Sequence, residues 1–87
     1  MFSPTTTEEF NNWRRDHPDG FLVNHYANPT LGRLVLHRAT CPCFKTDQQY
    51  VGGCAKTCAE RIGELRVWAS TVVGAINLQE CGLCRPS

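Results

Sequence analysis

Apolar residues recur along the chain in short blocks, and the spacing within the first block predicts a helix over residues 7–16. Phe10 and Trp13 lie three positions apart, so a helix places both side chains on one face. Thr6 precedes the block and Glu9 follows it by three residues, which is the capping-box spacing of a helix N-terminus. A proline and a glycine directly after the block end the helix.

Two runs of strand-forming residues follow this helix, and a segment rich in turn residues separates them. The runs are Phe21-Leu22-Val23 and Leu34-Val35-Leu36, and the segment between them contains Asn28-Pro29-Thr30-Leu31-Gly32. Apolar and β-branched residues bounded by asparagine, proline and glycine are typical of a β-hairpin. The predicted hairpin ends directly before His37.

A second helical pattern occupies residues 58–72. Its apolar stripe has helical spacing and consists of Ile62, Leu65, Ala69 and Val72. Thr57 and Glu60 repeat the capping-box spacing at its start, and Ala75-Ile76-Asn77-Leu78 predicts a third short strand that leads to Cys81. Together these elements predict a small α+β domain in which the second helix packs its stripe on the hairpin.

The cysteine content bears on how such a small domain is stabilised. The chain has 87 residues and six cysteines, which can form three disulfides in about fifteen connectivities or contribute to a metal site. Residues 1–20 contain no apolar segment after a basic start, and no stretch approaches the ~20 apolar residues of a membrane span. We therefore expect a cytoplasmic protein without membrane association, whose reduced thiols favour a metal site.

Two short segments supply the candidate ligands. The first ligand loop, residues 37–41, begins with His37 and ends with Cys41, and the second ligand loop, residues 81–84, is a Cys-x-x-Cys motif formed by Cys81 and Cys84. One imidazole and three thiolates fill the tetrahedral shell of a zinc ion and leave no position for a catalytic water. The pattern predicts a structural Zn²⁺ site.

The remaining cysteines leave two interpretations open. Cys43, Cys54 and Cys58 form a second metal site together with His25, or they are ordinary partly buried thiols, with Cys58 facing the core from the second helix. A disulfide between Cys43 and Cys54 requires an oxidising compartment. His25 is also the replacement ligand if His37 does not bind the metal.

The charge of the chain does not indicate a nucleic-acid-binding protein by itself. The formal net charge is +1, whereas such domains are usually strongly basic. A local basic patch in or beside the two ligand loops provides the candidate phosphate contacts, namely Arg33, Arg38, Lys45 and Arg85. Arg38 directly follows the first ligand, and its guanidinium either binds a phosphate or supports the ligands.

The sequence contains no arrangement of residues that predicts catalysis. No serine or cysteine nucleophile is paired with a histidine at a motif spacing. A glycine-rich phosphate loop and a recognisable pair of carboxylates are also absent from the sequence. The aromatic residues at helical spacing are interpreted as core residues rather than as base-stacking residues. We therefore predict that the protein is not an enzyme.

The two ligand loops resemble those of the zinc-binding domain of Ada-type DNA methylphosphotriester repair proteins. The resemblance is carried by Leu36-His37-Arg38-Ala39-Thr40-Cys41-Pro42 and Glu80-Cys81-Gly82-Leu83-Cys84-Arg85-Pro86. In that family a ligand, an arginine, two residues and a cysteine form the first loop, and Cys-x-x-Cys-x-Pro forms the last. The resemblance implies a single zinc-binding domain over residues 1–87, with an Ada-like core at 21–86 and an N-terminal helical extension at 1–20.

The same resemblance implies a module that recognises DNA or a modified nucleic acid for a nuclease, a repair enzyme or a regulatory partner. One residue departs from the family pattern. In the repair proteins the first ligand is a cysteine that accepts a methyl group from a DNA phosphate, whereas this chain has His37 there, so methyl transfer is not expected at this position. Two alternatives remain, a protein-interaction module held by zinc and a methyl or alkyl acceptor that uses another ligand thiolate.

Overall fold

The computed structural model describes residues 1–42 and 54–86. In chain order its elements are α1 (Thr7–Asp16), β1 (Phe21–Tyr26), β2 (Leu34–Arg38), β3 (Cys54–Ala59), α2 (Ile62–Val73) and β4 (Gln79–Glu80). The strands form one mixed sheet in the order β3-β1-β2-β4. This architecture confirms the predicted α+β class.

Helix α1 has the predicted bounds and the predicted cap. The Thr6 hydroxyl accepts a hydrogen bond from the Glu9 backbone N–H at 3.1 Å. The Glu9 carboxylate in turn accepts from the Thr5 backbone N–H at 3.0 Å, one residue earlier than in a standard capping box. Phe10 and Trp13 are both buried, so the helix packs through the face that its sequence predicts.

Strands β1 and β2 form the predicted antiparallel hairpin. Its register pairs Leu22 with His37 and Val23 with Leu36. Because successive side chains of a strand point to opposite faces, Leu22 and His37 share one face and Val23 and Leu36 share the other. The hairpin therefore places the first candidate ligand on a defined face of the sheet.

The prediction of a helix over residues 58–72 is wrong at its start. Cys54–Ala59 is strand β3, and α2 begins only at Ile62. β3 pairs with β1 along its whole length, and these ladder hydrogen bonds override the local capping signal of Thr57 and Glu60. Cys58 therefore belongs to a strand rather than to a helix.

The predicted strand at residues 75–78 is also misplaced. The fourth strand is Gln79–Glu80, which pairs in parallel with Val35 and Leu36 of β2. Helix α2 ends at Gly74, whose φ of 75° is left-handed, and the chain then uses the intervening residues to reach the edge of β2. Residues 75–78 therefore form the connection between α2 and β4.

Two hydrophobic clusters lie on opposite faces of the sheet. The cluster on the α1 side contains Phe10, Trp13, Leu22, Ala39, Cys41, Cys58 and Cys81. The cluster on the α2 side contains Val23, Leu34, Leu36, Ala59, Leu65, Ala69 and Ala75, with Trp68 packed against it. Ile62, Leu65 and Ala69 of the predicted stripe pack on the sheet, but Val72 is 57% exposed and Val73 packs in its place. Two candidate ligands, Cys41 and Cys81, belong to the core under α1.

Gly20 lies where α1, the following turn and β3 meet, and a methyl group has no room there. A Cβ at this position would lie 2.6 Å from Cη2 of Trp13, 3.1 Å from the His17 carbonyl oxygen and 3.3 Å from the Ala59 carbonyl oxygen. We therefore expect Gly20→Ala to lower the free energy of unfolding by about 1–3 kcal/mol, measured by urea denaturation.

Gly63 in α2 provides the matched control for this substitution. A Cβ there meets nothing within 4 Å, so Gly63→Ala should raise the free energy of unfolding by about 0.5–1 kcal/mol through the better helix propensity of alanine. A Gly20→Ala variant as stable as the wild type would contradict the packing described around α1.

Candidate metal centre

The four predicted ligands come together in the structure. The donor atoms of His37, Cys41, Cys81 and Cys84 all lie within 4.8 Å of one another. Two thiolates bound to one tetrahedral zinc ion are about 3.8 Å apart, given Zn–S bonds of about 2.3 Å. The Sγ atoms of Cys41 and Cys81 are 3.7 Å apart, so the cluster has the dimensions of a metal site and can hold an ion.

The first ligand loop is a tight turn at the end of β2. The Cys41 backbone N–H donates to the Arg38 carbonyl at 3.0 Å and closes the turn. The Ala39 backbone N–H donates to the Gly20 carbonyl at 2.9 Å, which ties the loop to the residue before β1. These bonds turn the chain back after His37, so that Cys41 reaches the same side of the sheet.

The second ligand loop is anchored to the sheet by the continuation of β4. The Cys81 backbone N–H donates to the Leu36 carbonyl at 3.0 Å, and the Arg85 backbone N–H donates to the Cys81 carbonyl at 3.1 Å. Inside this turn the Leu83 backbone N–H points at Cys81 Sγ at 3.4 Å. An N–H donor stabilises a thiolate more than a thiol, so the turn prepares its sulfur for a cation.

Arg38 joins the two ligand loops. Its backbone N–H donates to Cys84 Sγ at 3.3 Å. Its side-chain Nε donates to the Cys84 carbonyl at 3.1 Å, and Nη2 donates to the Arg85 carbonyl at 3.2 Å. These contacts favour the interpretation in which Arg38 supports the ligands.

Helix α1 reaches the first ligand loop through a residue that sequence reasoning missed. Arg14 Nε donates to the Ala39 carbonyl at 3.0 Å, and its guanidinium carbon lies 5.3 Å from the centroid of the Phe10 ring. Burial lowers the pKa of Arg14, whereas the nearby Cys41 sulfur raises it. The available signal was the four-residue spacing from Phe10, which places Arg14 on the buried face.

The imidazole of His37 is neutral at neutral pH. The side chain is only 7% exposed. Burial, followed by the positive charges of Lys56 and Arg33, lowers the pKa of His37 from 6.5 to about 4. A neutral imidazole retains the lone pair that a metal ion requires.

Two of the predicted phosphate contacts are neighbours, since Arg38 Nη2 donates to the Arg85 carbonyl at 3.2 Å, whereas Arg33 lies at the other end of β2. Arg33 directly precedes β2 and lies 6.0 Å from the centroid of the Tyr26 ring, whereas Arg38 is the last residue of the same strand. Arg85 is exposed directly after the second ligand loop. Lys45 lies outside the described residues.

The interpretation of a second metal site is not supported by the described residues. His25 and Cys58 lie on opposite faces of the sheet, because Cys58 pairs with Leu22 on the α1 side and the His25 ring lies against Trp68 of α2, with centroids 5.0 Å apart. His25 and Cys58 therefore cannot bind one ion together. Cys43 and the side chain of Cys54 lie outside the described residues. Burial raises the pKa of Cys58 to about 12, as expected for a thiol inside the core.

His25 has a structural role instead. Its Nδ1 lies 2.6 Å from the Tyr26 carbonyl oxygen and its Nε2 lies 2.8 Å from Thr57 Oγ1. A carbonyl can only accept, so Nδ1 carries the proton and Nε2 accepts from the Thr57 hydroxyl. Both nitrogens of the neutral ring are engaged on the α2 side, so His25 is not placed to replace His37 as a ligand.

This environment predicts a pH-dependent contribution to stability. Burial, followed by the charge of Lys56, lowers the pKa of His25 from 6.5, against the effect of its bond to Tyr26. The unfolded chain then binds the proton more readily, so the contribution is complete above about pH 6.5 and decreases as the pH falls below it. We expect wild type and His25→Gln to differ more in free energy of unfolding at about pH 7.5 than at about pH 5.5. Equal differences at the two values would contradict this.

Comparison with known proteins identified no relative. No family model, curated protein or solved structure matches this chain. Within residues 1–42 and 54–86, no helix is both long enough and apolar enough to cross a bilayer. The functional argument therefore depends on the geometry of the metal centre and on the residues around it.

Proposed function

We propose that this protein is a structural-zinc module that binds nucleic acid, with DNA as its ligand. The observation that carries the proposal is the cluster of one histidine and three cysteines whose donor atoms lie within 4.8 Å of one another. Thiolates and imidazole favour zinc over the harder divalent cations. Four protein donors fill the shell, so the ion stabilises the fold and has no open position for hydrolytic chemistry.

The charges around the cluster support a thiolate-rich metal site. With zinc bound, three thiolates leave the centre with one net negative charge. Arg14 and Arg38 both contact the ligand loops, and Lys56 is only 5% exposed and acts electrostatically on His37. A negatively charged zinc–thiolate centre would be attracted to these nearby cations.

The nucleic-acid part of the proposal depends on exposed basic residues and on the resemblance to the Ada-type domain. Arg33 and Arg85 are exposed, and Arg85 directly follows the last ligand. The sequence adds two further candidate contacts, Arg38, which lies beside Arg85, and Lys45. A surface of this kind would bind the phosphate backbone for a nuclease, repair or regulatory partner.

Salt-dependent binding tests the DNA part of the proposal. Fluorescence anisotropy with a labelled duplex and a labelled single strand should show affinity that falls steeply between about 50 and 200 mM salt. Arg33→Gln and Arg85→Gln should each weaken binding and reduce the salt slope by about one. Arg66→Gln is the matched control, since Arg66 is exposed on α2, on the other side of the sheet from α1.

The outcomes of that assay are distinct. If zinc-loaded protein binds neither probe at low salt, the DNA function is rejected and the zinc module remains. If Arg66→Gln weakens binding as much as Arg33→Gln and Arg85→Gln, the contact face is misplaced. Arg38→Ala is not a suitable probe, because it also removes contacts to the second ligand loop.

A protein-interaction module held by zinc is the second candidate. Apolar side chains on and after α2 favour it, because Val67 is 66% exposed, Val72 57% and Ile76 95%. Exposed apolar groups of this kind often contribute to protein interfaces. Failure of both DNA probes would make this candidate the preferred function.

A further inference from the structure

The ligand cysteines differ in how far solvent reaches them. Cys41 is 1% exposed and Cys81 is 8% exposed, whereas Cys84 is partly exposed. The residue next to Cys84 in the loop, Leu83, is 69% exposed, so the outer wall of this turn faces solvent. Cys84 is therefore the most exposed of the three ligand cysteines.

Cys81 is placed to react with a modified Cys84. The two cysteines lie in one turn, closed by the bond between the Arg85 N–H and the Cys81 carbonyl, and their sulfurs belong to the cluster within 4.8 Å. A Cys-x-x-Cys turn is a spacing at which a disulfide closes within a single loop. The backbone N–H of Leu83 donates to Cys81 Sγ at 3.4 Å, and that of Arg38 donates to Cys84 Sγ at 3.3 Å, so both sulfurs are held in place beside each other.

We propose that Cys84 is an oxidation site through which hydrogen peroxide opens the metal centre, with Cys81 as the resolving thiolate. This inference depends on the metal site of the proposed function. It goes beyond that function because it makes the metal site sensitive to an oxidant. Oxidation would release the ion, and the binding module would then unfold.

The reaction has two balanced steps. The Cys84 thiolate attacks one peroxide oxygen, the O–O bond breaks, and a sulfenic acid and a hydroxide ion form. The Cys81 thiolate then attacks the Cys84 sulfur, the S–O bond breaks, and a disulfide and a second hydroxide ion form. Each sulfur loses one electron and the peroxide gains two. The disulfide removes two of the four donors, so the cluster can no longer hold its ion.

The experiment treats zinc-loaded full-length protein with hydrogen peroxide. Metal release is followed with the chromophoric chelator 4-(2-pyridylazo)resorcinol, and thiols are mapped over time by differential alkylation and mass spectrometry. We expect Cys84 to be modified first, one Cys81–Cys84 disulfide to form for each ion released, and a dithiol reductant to restore metal binding. The wild-type time course needs no variant, so it remains informative if substitutions prevent folding.

Two variants sharpen the test. Cys84→His retains four donor residues without the partly exposed thiolate, and we expect its metal release to be on the order of tenfold slower or more. Cys58→Ala is the matched control, since Cys58 is 0% exposed and lies outside the cluster. Its peroxide-driven metal release should not be slower than that of the wild type.

Three results would overturn the inference. These are oxidation of Cys58 or Cys41 before Cys84, a disulfide between Cys41 and Cys81 in place of the proposed pair, and metal that stays bound under peroxide. Failure of the proposed function looks different. Protein that never binds metal contradicts the metal site itself, whereas metal-loaded protein whose Cys84 resists peroxide contradicts this inference alone.

Discussion

Cys41→Ala is expected to unfold the whole chain rather than to weaken one property of it. Cys41 is 1% exposed and belongs to both the metal cluster and the core under α1. A structural zinc ion contributes on the order of 10 kcal/mol or more to folding, and a domain of this size has a total stability of about 5–15 kcal/mol. Loss of one ligand therefore removes most of the stability.

The expected result is an NMR spectrum without dispersed amide signals and a urea titration without a cooperative transition. Cys58→Ala is the control, because that cysteine is equally buried but contributes no donor atom to the cluster. It should cost about 1–2 kcal/mol, within the usual range for a core truncation, and retain a dispersed spectrum. A Cys41→Ala variant with wild-type dispersion and a wild-type urea midpoint would mean that the metal does not hold the fold.

Phe10→Ala is expected to cause the largest loss of stability outside the ligands, about 3–5 kcal/mol. The ring is 0% exposed and belongs to the cluster that contains Cys41 and Cys81. Two cations also lie against it, the Arg14 guanidinium at 5.3 Å and the Lys56 ammonium at 5.2 Å from the ring centroid. Removing the ring leaves a cavity and takes a stacking partner from the arginine that holds the first ligand loop.

Urea denaturation and the rate of metal transfer to a chelator measure the two consequences separately. We expect a lower midpoint and faster transfer for Phe10→Ala. Val67→Ala on α2 is the control, because Val67 is 66% exposed and should change stability by less than about 0.5 kcal/mol. If Phe10→Ala loses less than about 1 kcal/mol, α1 is not part of the core that supports the metal centre.

The parts of the fold that follow from local chemistry were predictable from the sequence. The cap formed by Thr6 and Glu9 and the aromatic pair that follows it define α1 within a few residues. The ligand set was equally accessible, because histidine and cysteine at these short spacings are typical of metal coordination. Both signals operate over only a few positions in the chain.

Strand β3 illustrates what local chemistry could not predict. Cys54–Ala59 contains only one β-branched residue and no aromatic one, its other residues being alanine, lysine and cysteine. That β-branched residue, Thr57, also forms a helix-cap pattern with Glu60. Only pairing with β1, more than two dozen residues earlier in the chain, makes this segment a strand. The misplaced start of α2 follows directly from that missed pairing.

The contacts that support the metal centre could not be predicted from the sequence for the same reason. Arg14 binds a carbonyl 25 residues away and Arg38 binds a carbonyl 46 residues away. No spacing rule relates a guanidinium to a distant main-chain acceptor. Arg38 therefore had two equal interpretations in the sequence, and the fold favours the supporting one.

Metal content combined with thiol counting, on protein purified without added zinc, tests the central claim most directly. The account predicts one zinc ion per chain, with the thiols of Cys41, Cys81 and Cys84 protected until a chelator removes the ion and unfolds the domain. Protein without metal, with its six cysteines already paired in disulfides, would contradict the account and indicate a disulfide-stabilised domain instead.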